Sequence, residues 1–301
     1  MNNEKSCAST SINWYPGHMA KTKKDIIEDL KLIDIVVEIL DSRIPISSQN
    51  PSIKEITKNK KRIIILNKSD LADEQQTKLW KKHFEINNIP TVITDSNSGK
   101  GIKEFIKIVD KNMENEIFQN KQKGRIGKVT RLLVLGIPNV GKSSFINRIS
   151  KRTTMKVGNK PGVTKKKQWI HVGNNIELLD TPGVLWPKFE SEEVALNLSY
   201  TGTIRDDILQ KTEIAFYLLK FLLNDYTETI ESRYKIPKQI INELKNEEKN
   251  EKILELMQII GRKRGAIVSG GEIDYEKTAS IILDDFRNGK LGRITIEKIK
   301  L

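Results

Sequence analysis

The stretch Gly136-Ile137-Pro138-Asn139-Val140-Gly141-Lys142-Ser143 fits the phosphate-binding pattern G-x-x-x-x-G-K-[ST]. The apolar run before it, residues 131–135, is short and rich in branched side chains, as a buried strand is, and residues 144–149 after it have helical spacing. In such a strand-loop-helix unit, the loop N–H groups and the helix N-terminus bind phosphate oxygens. We therefore expect Lys142 to reach the outer phosphates of a nucleotide and Ser143 to offer its hydroxyl to Mg²⁺.

A second motif follows another apolar run, residues 63–66. The tetrapeptide Asn67-Lys68-Ser69-Asp70 fits N-K-x-D, the guanine-reading motif of GTPases. The Asp70 carboxylate can accept from both N1–H and the exocyclic amine of guanine, which adenine cannot match. We expect Asn67 to face O6 and N7 and the stem of Lys68 to cover the base. These residue types are also common in turns, so the position after a buried strand, where ligands gather in parallel sheets, supports the functional interpretation.

Three more loops carry polar groups suited to a nucleotide. Asp95 and Ser96 open a loop over residues 95–101 that follows a third strand, and its backbone N–H groups are candidates to hold the other side of the base. Thr164 is a candidate magnesium ligand. Asp180-Thr181-Pro182-Gly183 fits D-x-x-G, in which Asp180 holds Mg²⁺ through water and the Gly183 N–H contacts the terminal phosphate.

The motifs occur in an unusual order. The base-reading motif precedes the phosphate loop, whereas ordinary GTPases run phosphate loop, threonine switch, D-x-x-G, N-K-x-D. Because the termini of compact domains often lie close together, joining them and opening the chain elsewhere preserves the packing. We interpret this order as a circular permutation of an α/β nucleotide-binding domain, a mostly parallel sheet with helices on both faces, over residues 1–187. Residues 102–113 are predicted as a helix, and residues 114–130 as a linker.

Helical spacing dominates the chain beyond residue 190 and predicts a small all-helical second domain over residues 188–301. The predicted helices span residues 192–198, 204–223, 237–244, 252–264 and 274–288.

The composition points to a polyanionic partner. A formal net charge of +13 over 301 residues makes nucleic acid the leading candidate, with a solvated lysine-rich surface as the alternative. No apolar run approaches the roughly 20 residues that span a bilayer, and the polar opening of the chain lacks a signal-peptide core. These features predict a cytoplasmic protein without a membrane partner.

Three further segments, together with the permuted motif order, indicate a resemblance to a known family. These are Trp14-Tyr15-Pro16-Gly17-His18-Met19, Asp41-Ser42-Arg43-Ile44-Pro45, and the stretch from Gly261-Arg262-Lys263-Arg264-Gly265 to Ser269-Gly270-Gly271. Together they resemble the bacterial ribosome biogenesis GTPase A family. The resemblance implies a circularly permuted GTPase that acts late on the large ribosomal subunit precursor, binding its ribosomal RNA and proteins. It also implies that hydrolysis is slow until the particle stimulates it.

The resemblance also implies roles for individual residues. Residues 136–144 bind the phosphates of GTP or GDP, while Thr164, Asp180 and Gly183 surround Mg²⁺ and the terminal phosphate. The predicted nucleotide-binding set is Asn67, Lys68, Asp70, Asp95, Ser96, Asn139, Val140, Gly141, Lys142, Ser143, Ser144, Thr164 and Gly183.

Two further residues are candidates for the hydrolysis step besides Lys142. Val184 stands where many GTPases have the glutamine that orients water, and valine cannot hydrogen-bond. The resemblance implies that His18 positions the water; the alternative is a structural turn histidine. Asn139 resembles the asparagine by which related GTPases hold K⁺ beside the phosphates; the alternative is a loop asparagine with a local hydrogen bond.

Two other functions stay open from the sequence. One is a nucleotide-gated binding checkpoint with negligible turnover. The other is a GTPase at a membrane surface, which suits the basic charge but lacks an amphipathic insertion helix with an aromatic edge.

Overall fold

The computed structural model describes residues 24–124, 127–152, 169–173, 175–180, 191–204, 210–246 and 250–299. The predicted domain boundary at residues 187–188 lies outside these ranges and stays a prediction. His18, Thr164 and Gly183 lie outside them as well.

The nucleotide-binding part of the chain is a six-stranded sheet. Its strands are β1 (Ile35–Asp41), β2 (Lys61–Asn67), β3 (Thr91–Ile93), β4 (Thr130–Leu135), β5 (Trp169–Val172) and β6 (Ile176–Asp180). They lie in the order β3-β2-β1-β4-β6-β5. All neighbours are parallel except β5, which runs antiparallel to β6 at one edge. The predicted mostly parallel α/β fold is confirmed.

Helices cover both faces of this sheet, which explains why its central strands are continuous apolar runs. The helices are α1 (Pro51–Ile56), α2 (Glu74–Ile86), α3 (Ile102–Gln122) and α4 (Lys142–Arg152). One face packs against α3 and α4, where Phe105 and Phe145 meet edge to face with ring centres 5.2 Å apart. The other face packs against a helical segment at residues 24–30, α1 and α2. The predicted helices on both faces of the sheet are therefore confirmed.

The rest of the described chain is helical. Its helices are α5 (Glu192–Tyr200), α6 (Lys211–Asp225), α7 (Thr227–Tyr234), α8 (Lys238–Asn246), α9 (Asn250–Arg264) and α10 (Tyr275–Arg287). They share a separate apolar core around α6, with Leu218, Leu219 and Leu222 fully buried. The predicted all-helical C-terminal domain is confirmed.

Three local predictions differ from the structure. The helix predicted to end at residue 113 continues as α3 to Gln122, because the following residues favour helix and Glu116 forms ion pairs with Lys61 and Lys128 at 2.8 and 3.4 Å. The helix predicted from residue 204 begins at Lys211 as α6, after a turn at residues 201–204. The short helix α7 was not predicted, because its polar sequence has weak apolar spacing.

The residues after α10 return to the nucleotide-binding domain. Ile294 N donates to Leu71 O at 3.0 Å, and Ile296 N donates to Arg43 O at 2.9 Å. The half-buried Glu297 carboxylate accepts from Ser47 N at 2.8 Å and from Asn197 Nδ2 at 3.3 Å. Burial raises the pKa of Glu297, although these donors oppose the shift. The C-terminal segment thus binds the two domains together.

Among the described residues, no helix combines the length and the apolar character needed to cross a bilayer.

Candidate guanine-nucleotide site

The strand register brings the loops that carry the motifs to one edge of the sheet. Asp41 at the end of β1 lies opposite Asn67 at the end of β2, and Val134 of β4 lies opposite Asp180 at the end of β6. Because β1 lies between β2 and β4, the base-reading motif and the phosphate loop begin on either side of the end of β1. This edge is where ligands bind in open parallel sheets.

The phosphate loop, residues 136–141, connects β4 to α4 and passes very close to its neighbours. Gly141 has φ +95°, and a Cβ there would lie 2.4 Å from Asn67 Nδ2. A Cβ at Gly136 would lie 2.7 Å from Ile39 O. Only glycine fits these two positions without moving the surrounding chain. The loop ends at the N-terminus of α4, whose unpaired N–H groups favour an anion.

Asn67 joins the phosphate loop to the predicted base-binding loop. Its Nδ2 donates to Val140 O at 2.8 Å. Its Oδ1 accepts from Ser96 Oγ at 2.7 Å and from Thr94 Oγ1 at 3.1 Å. Arg148 of α4 adds a second link by donating to Ser96 O at 2.9 Å. The amide of Asn67 therefore holds together two loops that are encoded far apart in the chain.

Lys68 is held by a buried carboxylate from the end of β1. Lys68 Nζ lies 3.0 Å from Asp41 Oδ2, and Arg43 binds the same carboxylate with Nε at 2.9 Å and one terminal nitrogen at 2.8 Å. Burial alone would raise the pKa of Asp41, but the charges of Arg43 and Lys68 and the hydrogen bonds from Arg43 hold it well below its usual range. An ionised Asp41 thus fixes the position of the Lys68 side chain.

Two carboxylates, Asp70 and Asp95, lie near each other at the predicted base site. Burial raises the pKa of Asp70, and the charge of Asp95 adds to the shift. Burial would also raise the pKa of Asp95, but hydrogen bonds from Ser98 and from the N–H groups of Asn97 and Ser98 lower it. Asp95 therefore shapes its own loop, whereas Asp70 is the carboxylate that gains from N–H donors such as those of guanine.

The side chain of Lys142, the first residue of α4, folds back onto the phosphate loop. Its Nζ donates to Ile137 O at 2.9 Å, and the side chain is only 8% exposed. Burial lowers the pKa of Lys142 to about 8, while the charge of Asp180 opposes this shift. An anion beside Lys142 would favour its protonated form again.

The phosphate loop also contacts the helical domain. Asn139, with φ +63°, donates from Nδ2 to Gly202 O at 2.6 Å. Gly202 follows α5, and Arg287 of α10 donates to the carbonyl oxygens of Tyr200 and Ser199 at 3.1 and 2.8 Å. The end of α5 is thus held between α10 and the phosphate loop.

Most of the predicted site residues lie at this one edge. The described members are Asn67, Lys68, Asp70, Asp95, Ser96, Asn139, Val140, Gly141, Lys142, Ser143, Ser144 and Asp180. Ser143 and Ser144 are exposed in the first turn of α4. The roles of Asp41, Arg43 and Gly202 were not predicted, because their contacts link positions that no sequence spacing connects.

Comparison with known proteins agrees with this geometry. The family described as 50S ribosome-binding GTPase matches residues 131–258. Ribosome biogenesis GTPase A of Bacillus licheniformis is 46% identical over 95% of this chain and 98% of its own length. The chain belongs to the ribosome biogenesis GTPase A family. The same protein of Bacillus pumilus is 44% identical over 96% of this chain and 99% of its own.

A solved structure shares the fold of this family member. The GDP-bound structure of TM YlqF has a TM-score of 0.63 and 25% identity, and the match covers 91% of this chain and 98% of that one. As a member of the ribosome biogenesis GTPase A family, the protein binds and hydrolyses GTP and takes part in ribosome biogenesis.

GTPases generally use Mg²⁺, and the described residues fit this ion. The Ser143 hydroxyl, in the first turn of α4, and the Asp180 carboxylate, at the end of β6, are hard oxygen donors. The described ranges contain no group of three or more His, Cys, Asp or Glu suited to a metal. The two oxygen donors of Ser143 and Asp180 suit an ion whose other ligands are phosphate oxygens and water. When bound, Mg²⁺ neutralises charge on the phosphate groups.

Proposed function

We propose that this family member hydrolyses GTP late in large-subunit maturation, in the cytoplasm, and that it binds ribosomal RNA and ribosomal proteins of the precursor. The observation that carries the proposal is the bond from Asn139 Nδ2 to Gly202 O, 2.6 Å long, which ties the phosphate loop to the helical domain. Through this bond, a conformational change at the phosphate loop can move the helices. A ribosomal particle that moves the helices can likewise change the conformation of the phosphate loop.

The likeness to 50S ribosome-binding GTPases and the net charge of +13 support an RNA-rich partner. We expect the contacts to follow phosphate positions and RNA shape more than base identity. Two members of the basic triplet Arg262-Lys263-Arg264 of α9 are held in place by contacts within the protein. Arg264 donates to Arg233 O at 2.9 Å and lies 5.3 Å from the centre of the Tyr234 ring, and Lys263 donates to Lys235 O at 2.9 Å. The exposed Arg262 is the member that we expect to face RNA.

Within this proposal, His18 positions the attacking water and K⁺ binds beside Asn139. Since Nδ2 of Asn139 is used by Gly202, its carbonyl oxygen is the atom that we assign to K⁺. Hydrolysis is slow in the isolated protein because the water-orienting group must be brought in, and the large subunit stimulates it. We also place the domain boundary at residues 187–188.

The test is phosphate release from GTP by the full chain, alone and with purified large or small ribosomal subunits. The proposal predicts stimulation by large subunits and none by small subunits. His18→Ala should lower the stimulated rate and leave GTP affinity unchanged. His171→Ala is the control, because that side chain is 68% exposed on β5. Binding of large subunits without stimulated release would instead favour the nucleotide-gated checkpoint.

A further inference from the structure

A basic cleft lies at the opposite edge of the sheet from the guanine site. It has a volume of about 440 Å³. Its walls come from α1, the start of β2, the segment before β3 and the middle of α3. The lining residues are Lys54, Lys58, Lys60, Lys61, Arg62, Asn88, Ile89, Pro90 and Asn112. We call this set the basic groove. The length of β2 separates it from Asn67 by roughly 20 Å at about 3.3 Å per residue.

Two of the five cations in the basic groove are neutralised by carboxylates that lie outside it. Arg62 forms an ion pair with the buried Glu38, and Lys61 Nζ lies 2.8 Å from Glu116. A third, Lys60, donates to Ile33 O at 2.8 Å, a neutral acceptor that leaves its charge uncompensated. These contacts hold the floor of the groove in place.

The other two cations are available to a ligand. Lys54 and Lys58 are exposed, and neither ammonium forms a hydrogen bond or an ion pair within the part of the chain that the structure describes. No acidic side chain lines the groove. Lys54, Lys58 and Lys60 thus leave an excess of positive charge in one concave surface, beside the amides of Asn88 and Asn112.

We propose that the basic groove binds the phosphate backbone of RNA. This rests on the proposed function, since it assigns a second RNA contact to a protein expected to bind ribosomal RNA. Lysines contact phosphates as flexible point charges, the amides can donate to phosphate or ribose oxygens, and the half-buried Ile89 and Pro90 offer an apolar surface to a sugar. The groove opens away from the nucleotide edge, so RNA bound there leaves the GTP site accessible.

The experiment compares two full-length double variants with the same loss of charge. Lys54→Gln/Lys58→Gln changes the groove. Lys82→Gln/Lys103→Gln is the control, because both lysines are exposed on α2 and α3 and lie outside the lining of the groove. The probe is a mixed-sequence RNA hairpin, and its affinity is measured over a range of salt concentrations.

Two lost phosphate contacts should lower the slope of log affinity against log salt by roughly 1.8, at about 0.9 per contact. We expect the groove variant to bind the hairpin about tenfold more weakly at moderate salt, and the control variant to bind within about twofold of the parent. GDP affinity and unstimulated hydrolysis should be the same in all three proteins.

Three results would overturn the proposal. The first is equal RNA affinity of the groove variant and the parent, and the second is an equal loss of RNA affinity in both variants. The third is a groove variant that loses affinity for a polyglutamate peptide, used as a competing acidic ligand, but not for RNA. Stimulation by large subunits is measured on the same proteins. If the parent is stimulated while the groove variant binds RNA normally, the groove assignment fails and the proposed function stands. If the parent binds no RNA at all, the proposed RNA-binding function fails first.

Discussion

The guanidinium carbon of Arg43 lies 5.0 Å from the centre of the Phe286 ring, across the boundary between the sheet and the helical domain. Both side chains are buried. The same guanidinium binds Asp41, and Asp41 binds Lys68 of the base-reading motif. The helical domain is thereby connected to the guanine side of the site, as Asn139 connects it to the phosphate side.

Arg43→Lys should weaken GDP binding. Lysine keeps the positive charge but loses the two-pronged bond to Asp41 and the stacking on Phe286, so Lys68 is held less firmly. We expect roughly tenfold lower GDP affinity, about 1.4 kcal/mol, measured by calorimetry. Arg131→Lys is a matched control, because Arg131 also pairs with a carboxylate, Glu177, and lies 5.2 Å from the Trp169 ring centre, away from the base. Equal loss in both variants would contradict the positioning role.

Nucleotide binding should take up a proton at alkaline pH through Lys142. In the free protein burial lowers the pKa of this group to about 8, whereas a bound phosphate favours the charged form. GDP affinity should therefore fall as pH rises above about 8. Because the folded pKa lies below the unfolded one, the unfolded chain binds more protons in that range, and the contribution of Lys142 to stability rises with pH.

Calorimetry in two buffers of different ionisation heat measures this uptake. Lys142→Arg should abolish it, because guanidinium stays charged throughout. Absence of uptake in the parent protein at pH about 9 would contradict the assignment.

Hydrolysis should depend on K⁺ through Asn139. An arginine finger accelerates related reactions by roughly 10³ to 10⁵, and a cation beside the phosphates neutralises the same developing charge. Replacing K⁺ by Na⁺ should slow subunit-stimulated phosphate release by roughly tenfold or more. Asn139→Ala should release phosphate slowly in both salts. Asn120→Ala is the control, since Nδ2 of Asn120 also donates to a backbone carbonyl, on α3. Equal rates in the two salts would exclude a role for K⁺ in hydrolysis.

The sequence predicted the fold because each motif followed an apolar run, and such runs form buried parallel strands whose ends share one edge. The circular permutation was also predictable, because the sequence itself shows the base-reading motif at Asn67 before the phosphate-binding motif at Lys142. These are local patterns of polarity and glycine, which the chain displays directly.

What connects the motifs was not predictable from such patterns. The bond between Asn67 and Val140 joins residues 73 positions apart, and the return of Ile296 to Arg43 crosses most of the chain. Charge counts also did not show that Lys263 and Arg264 on α9 are held by backbone carbonyls. Partners of this kind depend on tertiary packing and not on spacing.

We propose that one pocket combines the base selector Asp70 with the phosphate-binding Lys142. Xanthine has a carbonyl where guanine has its amine. Asp70→Asn should therefore shift the nucleotide preference from GDP to xanthosine diphosphate, with the ratio of the two affinities changing by roughly 100-fold, about 2.7 kcal/mol. The direct measurement is the affinity of Asp70→Asn for xanthosine diphosphate with and without Lys142→Ala. We expect Lys142→Ala to abolish the binding of xanthosine diphosphate. Unchanged xanthosine diphosphate affinity in the double variant would show that the two residues serve separate sites.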